Sequence, residues 1–330
     1  MRHAARSRLE HFFLELHKNN ENFSMTLSRR HFVQGGVSLG ALLSLNAFAG
    51  FRYSSGENSS MLVPPAGSVD CHMHLYDDHF PAAAGAALLP PNASLEEYRQ
   101  VQQRLHVRRM VIVTPSTYGT DNRVMLNGLA NAQGDARGVA VVAASIADKE
   151  LEALHAAGVR GIRFNLSYGG ANLDDLETLA ARINELGWNV QVVAPGTQLT
   201  DLESRLAKLP SRLVIDHMGH VPQPEGVKSA AFAAITRLLN NQRTWVKLSG
   251  PYIRSKIGAP TYSDVSQVAQ ALVKINPERM LYGSDWPHPT ATENKPNDAD
   301  ILDLLYQWAP SEHDRTLILR DNPVSLYGFS

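Results

Sequence analysis

The sequence predicts an α/β fold, a (β/α)8 TIM barrel that forms a single domain. Short apolar runs alternate with longer amphipathic stretches, eight such runs can be counted, and about 280 residues remain after an N-terminal targeting segment. This alternation is typical of repeated strand-helix units around a parallel sheet. A doubly wound open sheet is the alternative, but it does not require eight strands, and no glycine-rich phosphate loop follows the first run.

The first 49 residues carry the pattern of an export signal. The pair Arg29 and Arg30 precedes a mild apolar stretch at 35–45, which ends in the small-x-small pattern Ala47-Phe48-Ala49. This pattern resembles a twin-arginine signal, and the apolar stretch is shorter than the ~20 residues of a membrane span. We expect 1–49 to be an N-terminal extension and signal peptide, starting at Met1 or Met25, and 50–67 to be a linker before the barrel at 68–330. The expected location is the periplasm, with the Tat export machinery as a partner.

The eight apolar runs are the predicted barrel strands. They lie at 69–75, 109–114, 138–144, 159–165, 189–194, 212–217, 245–249 and 280–285. Predicted helices between them include 94–105, 174–186, 200–208 and 263–275. In a closed parallel barrel the carboxyl ends of all strands meet at one rim, which is where barrel enzymes build their active sites.

Net charge and cysteine content argue against nucleic-acid binding and exclude an internal disulfide. The net charge of −1 lacks the basic excess of a nucleic-acid binder, and we expect neither nucleic acid nor stable membrane association. Cys71 is the only cysteine, so an internal disulfide cannot form. Strand alternation predicts that Cys71 packs on the opposite strand face from His72.

The most informative local pattern is the pair His72 and His74. Alternate residues of an extended strand project to the same side, so the two imidazoles are delivered to one point. His217 ends the sixth predicted strand, and Asp285 ends the eighth. Because these strand ends meet at one rim, we expect the four residues to converge on one pocket.

Several motifs along the chain resemble those of the amidohydrolase superfamily. They are Asp70-Cys71-His72-Met73-His74, Ile215-Asp216-His217-Met218-Gly219, Gly283-Ser284-Asp285-Trp286-Pro287-His288 and Asp321-Asn322-Pro323. Two further motifs, at 118–122 and 161–165, resemble the lactonase branch, which includes pyrone-dicarboxylate lactonases and galactarolactone isomerases. The resemblance implies a TIM-barrel hydrolase that opens a carboxylated lactone, of the sugar-acid or pyrone-dicarboxylate type.

The sequence departs from the dinuclear metal sites that are common in this superfamily. Such sites take a lysine or glutamate from the fourth strand and a histidine from the fifth, whereas here the fourth strand offers Arg163 and Asn165. A single zinc ion could still be held by four residues: His72, His74, His217 and Asp285. The resemblance favours no metal, since the lactonase branch is thought to work without one, and Arg163 would add positive charge where a cation would sit.

Lactone cleavage requires a polarised carbonyl and a nucleophile whose proton is removed. We expect Asp285 to be the general base that activates water. The expected hydrogen-bond donors to the carbonyl oxygen are His72, His74 and His217. Arg163 and Arg254 suit bidentate capture of a substrate carboxylate, the role that the resemblance assigns to both, although a barrel acid or solvent is the alternative partner of each.

Other residues near the rim receive weaker expectations. The expected substrate-binding side chains are Ser116, Tyr118, Asn165 and His288. Trp286 is a candidate wall of the pocket, and the Pro- and Ala-rich stretch 81–91 is a candidate lid or subunit contact. The cap of the helix after the second strand is expected to be Asp121 or Asn122. We expect no role for His106 and His220.

Three other functions remain open at this point. A lactone isomerase of the same fold would use a substrate hydroxyl in place of water. A mononuclear metal-dependent hydrolase or decarboxylase would use the four candidate ligands, and a silent barrel would only bind its ligand. The lactone's identity and the oligomeric state are not predicted.

Overall fold

The computed structural model describes residues 50–330. The predicted export signal at 1–49 lies outside the described residues, so export stays a prediction. Within 50–330, none of the helices combines the length and apolar character needed to cross a membrane.

Eight parallel strands form the barrel, in the spatial order β1 to β8. They are β1 (Val69–Met73), β2 (Arg109–Val113), β3 (Ala136–Ala140), β4 (Val159–Asn165), β5 (Asn189–Val193), β6 (Arg212–Ile215), β7 (Thr244–Leu248) and β8 (Met280–Tyr282). Beyond β8, the chain returns to β1 through a bridge between Met73 and Trp286 and a 2.8 Å bond from Asp285 N to His72 O. The predicted TIM barrel is confirmed. The doubly wound alternative is wrong, because such an open sheet does not bring its first and last strands together.

The helices of the described residues lie mainly between the strands. They are α1 (Leu95–Leu105), α2 (Arg123–Asn131), α3 (Asp148–Ala156), α4 (Leu176–Asn184), α5 (Gly196–Leu206), α6 (Ala230–Leu239), α7 (Ser263–Ile275), α8 (Asp298–Asp303), α9 (Leu305–Trp308), α10 (Glu312–Thr316) and α11 (Asn322–Tyr327). The helix predicted at 94–105 corresponds closely to α1, and the hydrogen bonds at its start explain why. Ser94 Oγ accepts from Glu97 N, while the Glu97 carboxylate accepts from Ser94 N, so two otherwise unpaired amide groups are satisfied.

The third strand was predicted at 138–144, but β3 ends earlier, at Ala140. The side chain of Asn122 hydrogen-bonds both backbone groups of Val141, the residue that follows β3. Its Oδ1 accepts from Val141 N at 2.9 Å, and its Nδ2 donates to Val141 O at 2.8 Å. Thr114, which follows β2, also donates to Asn122 Oδ1. Asn122 therefore ties the ends of β2 and β3 together and makes no side-chain cap bond to α2.

The pairing of β1 with β2 slips between Asp70 and Met73, which breaks the regular alternation of side chains along β1. Cys71 packs with Val111 and Val214 in the smaller of the two buried clusters. Burial raises the pKa of its thiol well above the usual value, against the opposing effect of the nearby Lys247 charge. The expectation that Cys71 lies on the opposite strand face from His72 is therefore wrong, because the irregularity turns both side chains towards Lys247. Its predicted packing role is consistent with its complete burial.

Residues 50–67 lie against the barrel. Arg104 of α1 donates to Asn58 O at 2.7 Å and to Ser54 Oγ at 2.9 Å. The Asp303 carboxylate of α8 accepts from Met61 N and Leu62 N. The expected linker is thus held to α1 and α8 by hydrogen bonds.

Trp286 packs against this same segment. Its Nε1 donates to Arg52 O at 3.0 Å, and its ring meets the Tyr53 ring edge-on at a centroid distance of 5.8 Å. On the other side it contacts Tyr98 of α1. The expectation that Trp286 walls the pocket is wrong, since its ring points towards α1 and residues 52–53.

The bonds of Asn122 generate a stability prediction. We expect Asn122→Ala to lower the free energy of unfolding of the full chain by about 1–3 kcal/mol, because both backbone groups of Val141 and the Thr114 hydroxyl lose their partner. Urea unfolding followed by circular dichroism measures the change. The matched control is Asn127→Ala, an exposed asparagine of α2, which we expect to change stability by less than about 0.5 kcal/mol. Equal effects of the two variants would contradict the bridging role of Asn122.

Candidate active site

Four side chains meet at the carboxyl-end rim of the barrel, as the sequence predicts. His72 Nε2 and His74 Nε2 are 3.2 Å apart. Asp285 Oδ1 lies 3.5 Å from His72 Nε2, 3.6 Å from His74 Nε2 and 4.0 Å from His217 Nε2. All four residues are buried. One carboxylate oxygen therefore faces three imidazole nitrogens.

A buried ion pair lies beneath this cluster, inside the barrel. Lys247 Nζ is 3.1 Å from Asp216 Oδ1 and also contacts His72 Nδ1 at 3.0 Å. It donates to Gln191 Oε1 at 2.6 Å, and Gln191 Nε2 in turn donates to the hydroxyl of Tyr327, near the C-terminus, at 2.9 Å. Lys247 and Gln191 have no exposed surface.

Sequence reasoning missed this ion pair and its partners. Two signals were present: a lysine in the otherwise apolar run Trp245-Val246-Lys247-Leu248, and a glutamine in the apolar run of β5. A charged residue at a fully buried position needs a partner. That partner is Asp216, which directly precedes His217 at the end of β6.

The contacts of His72 and His74 set the positions of their protons. Lys247 Nζ lies 3.0 Å from His72 Nδ1, and Asp216 Oδ1 lies 3.5 Å from the same nitrogen. A lysine ammonium has donors only, so the shorter contact favours a proton on His72 Nε2. His74 Nδ1 is 2.7 Å from the carbonyl oxygen of Val113, which can only accept, so this nitrogen carries a proton. The expectation that all three histidines donate to a carbonyl is not tested by these contacts and stays a prediction.

Asp285 is held by its backbone and by a tyrosine that sequence reasoning also missed. Its φ is +65°, a left-handed conformation that is uncommon outside glycine and typical of functional sites. The hydroxyl of Tyr252 donates to Asp285 Oδ2 at 2.6 Å. Burial acts to raise the pKa of Asp285, but the facing imidazoles hold it well below its usual range. Asp285 is therefore ionised at neutral pH, with Oδ2 occupied and Oδ1 turned to the histidines.

The other buried groups have pKa shifts that agree with these charges. Burial, reinforced by the Lys247 charge, lowers the pKa of His72 well below its usual value, so the ring is neutral at neutral pH. Burial also lowers the pKa of His217, against the opposing charge of Asp285. Burial acts to raise the pKa of Asp216, but the charge of Lys247 brings it well below its usual range. The site thus combines ionised carboxylates with neutral imidazoles.

A narrow cavity opens above Asp285. Its wall includes several of the predicted residues, namely His74, Ser116, Arg163, Asn165, His217 and Asp285. Arg163 donates from Nε to Asp216 Oδ2 at 3.2 Å, which anchors its guanidinium in the wall. Leu88 also lines the cavity, and its carbonyl accepts from Thr117 Oγ1 at 2.7 Å. The stretch 81–91 therefore reaches the rim through Leu88, and its role as a lid or a subunit contact stays a prediction.

Arg254 is exposed and lines a second, adjoining cavity, which it shares with His217. Its placement leaves the expected contact with a substrate carboxylate untested. Among the described residues, Arg163 is the predicted arginine that reaches the cavity of Asp285.

Two other predicted substrate-binding residues lie outside the wall of that cavity. Tyr118 uses its hydroxyl to bond the backbone of Asp77, accepting from the amide at 2.8 Å. His288 is fully buried, and its Nε2 lies 3.1 Å from Asp298 Oδ2. Its ring also meets the Tyr252 ring edge-on, at a centroid distance of 5.3 Å. In this structure Tyr118 supports a rim loop, and His288 supports Tyr252.

His220, expected to have no role, lines the cavity. Its ring stacks on that of His217 at a centroid distance of 5.6 Å. It lies three residues after His217 in a short rim turn, which makes it a candidate site residue. His106 is exposed at the end of α1 and lies outside the wall of this cavity. That neither histidine has a role stays a prediction.

Whether the cluster fits a metal ion is decided by spacing and by proton placement. His72, His74 and Asp285 place their ligand atoms close enough together to surround one ion. Histidine ligands usually donate their second ring nitrogen to a carboxylate or carbonyl, as His74 does to Val113 O. His72 Nδ1 has two contacts, one with the Asp216 carboxylate at 3.5 Å and one with the Lys247 ammonium at 3.0 Å. The carboxylate contact matches the usual pattern of a metal ligand, whereas the shorter lysine contact favours a proton on the nitrogen that a metal would need. The spacing therefore fits a metal ion, and the lysine contact at His72 opposes one.

Known proteins share this fold and much of this sequence. The amidohydrolase family model matches residues 69–329. The chain is 36% identical to the 2-pyrone-4,6-dicarboxylate hydrolase of Comamonas testosteroni over 276 residues, which cover 80% of this chain and 90% of that protein. It is 33% identical to the D-galactarolactone isomerase of Agrobacterium fabrum, over 81% of this chain and 92% of that one. A crystal structure of an Agrobacterium tumefaciens protein has a TM-score of 0.78 at 32% identity, covering 84% of this chain and 99% of that chain.

The buried ion pair generates a prediction about stability. We expect Lys247→Met to lower the free energy of unfolding by about 3 kcal/mol, the lower end of the range for breaking a buried ion pair, because Asp216 Oδ1 would lose its cation while Arg163 still contacts Oδ2. Lys247→Met combined with Asp216→Asn should cost less than the sum of the two single changes, since it removes both charges. Urea unfolding of the full chain measures all three variants.

Lys208→Met, which replaces an exposed lysine after α5, is the control and should leave stability within about 0.5 kcal/mol. If Lys247→Met behaved like this control, the ion pair would not be a structural element of the barrel. Should Lys247→Met fail to fold, recovery of folded protein in the double variant carries the same test.

Proposed function

This chain belongs to the amidohydrolase family, and from that premise we propose that it is a hydrolase that opens the ring of a carboxylated lactone with water. The observation that carries the proposal is the ionised carboxylate of Asp285, buried at the base of a cavity and facing three imidazoles. The lactone-acting relatives support the substrate class.

The proposed reaction begins with proton transfer from water to Asp285. Tyr252 occupies Asp285 Oδ2, so Oδ1 is the oxygen available to take the proton. His74 Nε2 lies 3.6 Å from Oδ1, and because the Nδ1 of this ring is bonded to Val113 O, we assign Nε2 to accept the second hydrogen of the same water. A water oriented by these two groups presents its own lone pair to the lactone carbonyl carbon.

Polarisation of the carbonyl falls to the two histidines that can donate. His72 carries its proton on Nε2 in this proposal, since the shorter of its two Nδ1 contacts is with Lys247. The hydroxyl of Ser249 lies 2.9 Å from His217 Nδ1, and when it donates to that nitrogen the proton of His217 lies on Nε2 as well. Both N–H groups lie beside Asp285 and can stabilise the oxyanion as it forms. Collapse of this intermediate breaks the ring C–O bond, and Asp285 returns its proton to the departing alkoxide oxygen.

We assign Arg163 to a carboxylate of the substrate. Its Nε is held by Asp216, which leaves the outer guanidinium nitrogens facing the cavity it lines. Burial of 96% of its surface strengthens its attraction for a negative charge, because little water competes. The two roles expected of Arg163 are therefore compatible: it pairs with the barrel acid Asp216 through Nε, and we propose that its other nitrogens bind the substrate.

We propose that the reaction needs no metal ion, because the Lys247 contact makes His72 a donor at Nε2. His74, His217 and Asp285 remain as ligand candidates, and they are the residues that a metal-dependent hydrolase or decarboxylase would use. We also propose export to the periplasm through a twin-arginine signal, on the sequence pattern at 28–49.

The central experiment measures proton release by the purified protein with a panel of carboxylated sugar lactones and pyrones in weak buffer. We expect one proton per ring opened, because hydrolysis produces a new carboxylic acid. Product identification by NMR separates this outcome from isomerisation, in which a substrate hydroxyl attacks and no acid is released. Isomerised product without proton release would replace the hydrolase proposal.

Asp285→Asn should reduce kcat/KM by about 10²–10⁴-fold, since an amide cannot take a proton from water. Asp300→Asn, in the exposed part of α8, is the matched control and should leave kcat/KM unchanged. A variant Asp285→Asn that retained wild-type kcat/KM would remove Asp285 from the reaction.

Metal dependence is tested by elemental analysis and by chelation. We expect dialysis against a strong chelator to leave the rate of ring opening unchanged, and added zinc to give no increase. Zinc bound at one ion per chain, with activity lost on its removal and regained on its return, would overturn the metal-free proposal and favour a ligand set drawn from His74, His217 and Asp285.

A further inference from the structure

His220 has polar atoms that nothing in the described chain satisfies. Its side chain is 5% exposed and lines the cavity above Asp285. Neither Nδ1 nor Nε2 has a hydrogen-bond partner among residues 50–330. Buried polar atoms are nearly always paired, so two unpaired ring nitrogens in a cavity wall point to a ligand group that pairs them.

The backbone holds this imidazole at the site in an uncommon conformation. The φ angle of His220 is +47°, and those of the preceding His217 and Met218 are +52° each. The ring stacks on His217 at an interplanar angle of 20°. His217 Nε2 lies 4.0 Å from Asp285 Oδ1, so the stacked ring of His220 is next to the position proposed for the lactone carbonyl.

The charge state of His220 restricts what it can bind. Burial lowers the pKa of His220 to about 3, and the nearby charge of Arg254 acts in the same direction. The ring is therefore neutral at neutral pH, with one N–H donor and one acceptor nitrogen. A neutral imidazole cannot balance a carboxylate charge as Arg163 can. A hydroxyl group, which both donates and accepts, is complementary to it.

We propose that His220 binds a substrate hydroxyl on a ring carbon close to the lactone carbonyl, and that the natural substrate is therefore a hydroxylated sugar-acid lactone. The inference rests on the proposed lactone hydrolysis and narrows its substrate class. A pyrone dicarboxylate carries two carboxylates but no hydroxyl; its oxygens can accept from the ring N–H, but it has no donor for the other ring nitrogen, which would stay unpaired. Sites built to bond a hydroxyl discriminate strongly against analogues that lack it.

The test compares the 1,4-lactone of a six-carbon sugar diacid, as both C2 epimers, with its 2-deoxy analogue and with 2-pyrone-4,6-dicarboxylate. We expect wild-type kcat/KM to be at least tenfold higher for one hydroxylated epimer than for the deoxy analogue or the pyrone. His220→Phe keeps a stacking ring but has no polar atoms, and should bring the hydroxylated-to-deoxy ratio close to one. His220→Asn keeps a donor and an acceptor and tolerates positive φ, so it should retain the preference.

His106→Phe is the matched control, because His106 is exposed and also has a positive φ, of +55°; its ratio should equal that of the wild type. An unchanged ratio in His220→Phe, or equal losses on both lactones, would overturn the assignment. Wild-type preference for the pyrone or the deoxy lactone would overturn it without any variant and would leave the proposed hydrolysis intact. Absence of ring opening with every lactone would instead reject the proposed hydrolysis, and this inference with it.

Discussion

The contact between Lys247, Asp216 and His72 is the interaction on which the rest of the site depends. It lies where no solvent reaches, and it joins residues from β7, the end of β6 and β1. A buried cation is tolerated only with such a partner, so the barrel and the ion pair require each other. The same contact assigns the proton of His72 to Nε2 and so determines which face of the cluster donates. The same three side chains therefore contribute to the stability of the barrel and to the proposed chemistry of the site.

The barrel and the convergence of His72, His74, His217 and Asp285 could be predicted, because both follow from local periodicity and from the common rim of parallel strands. The proton positions could not, since they depend on Lys247 and Val113 O, which are distant in sequence from the rings that they contact. Cys71 was misplaced for a similar reason. A register slip is a property of the pairing between two strands, and one strand's sequence does not reveal it.

Four side chains at the rim share a backbone property. Asp285, His217, His220 and His288 all have positive φ angles, so the alternation of the preceding strands does not continue through them. Such conformations cost free energy and persist only where surrounding contacts hold them. The contacts are visible at Asp285, where its amide bonds His72 O and Tyr252 bonds its carboxylate. The rim is therefore held by interactions that a strand pattern cannot indicate.

These observations separate the site into two layers with different tolerance to change. The lower layer is formed by strand interiors, where Lys247, Asp216 and Gln191 contact one another or other buried groups, so a substitution that changes charge there leaves a partner unpaired. The upper layer is formed by rim turns such as the one carrying His220, whose ring nitrogens have no partner in the described chain. We expect a substitution there to change what the cavity binds more than it changes the stability of the barrel. Strand-end motifs thus predict the cluster of His72, His74, His217 and Asp285, whereas the buried partners below it and the rim turn above it follow no local pattern.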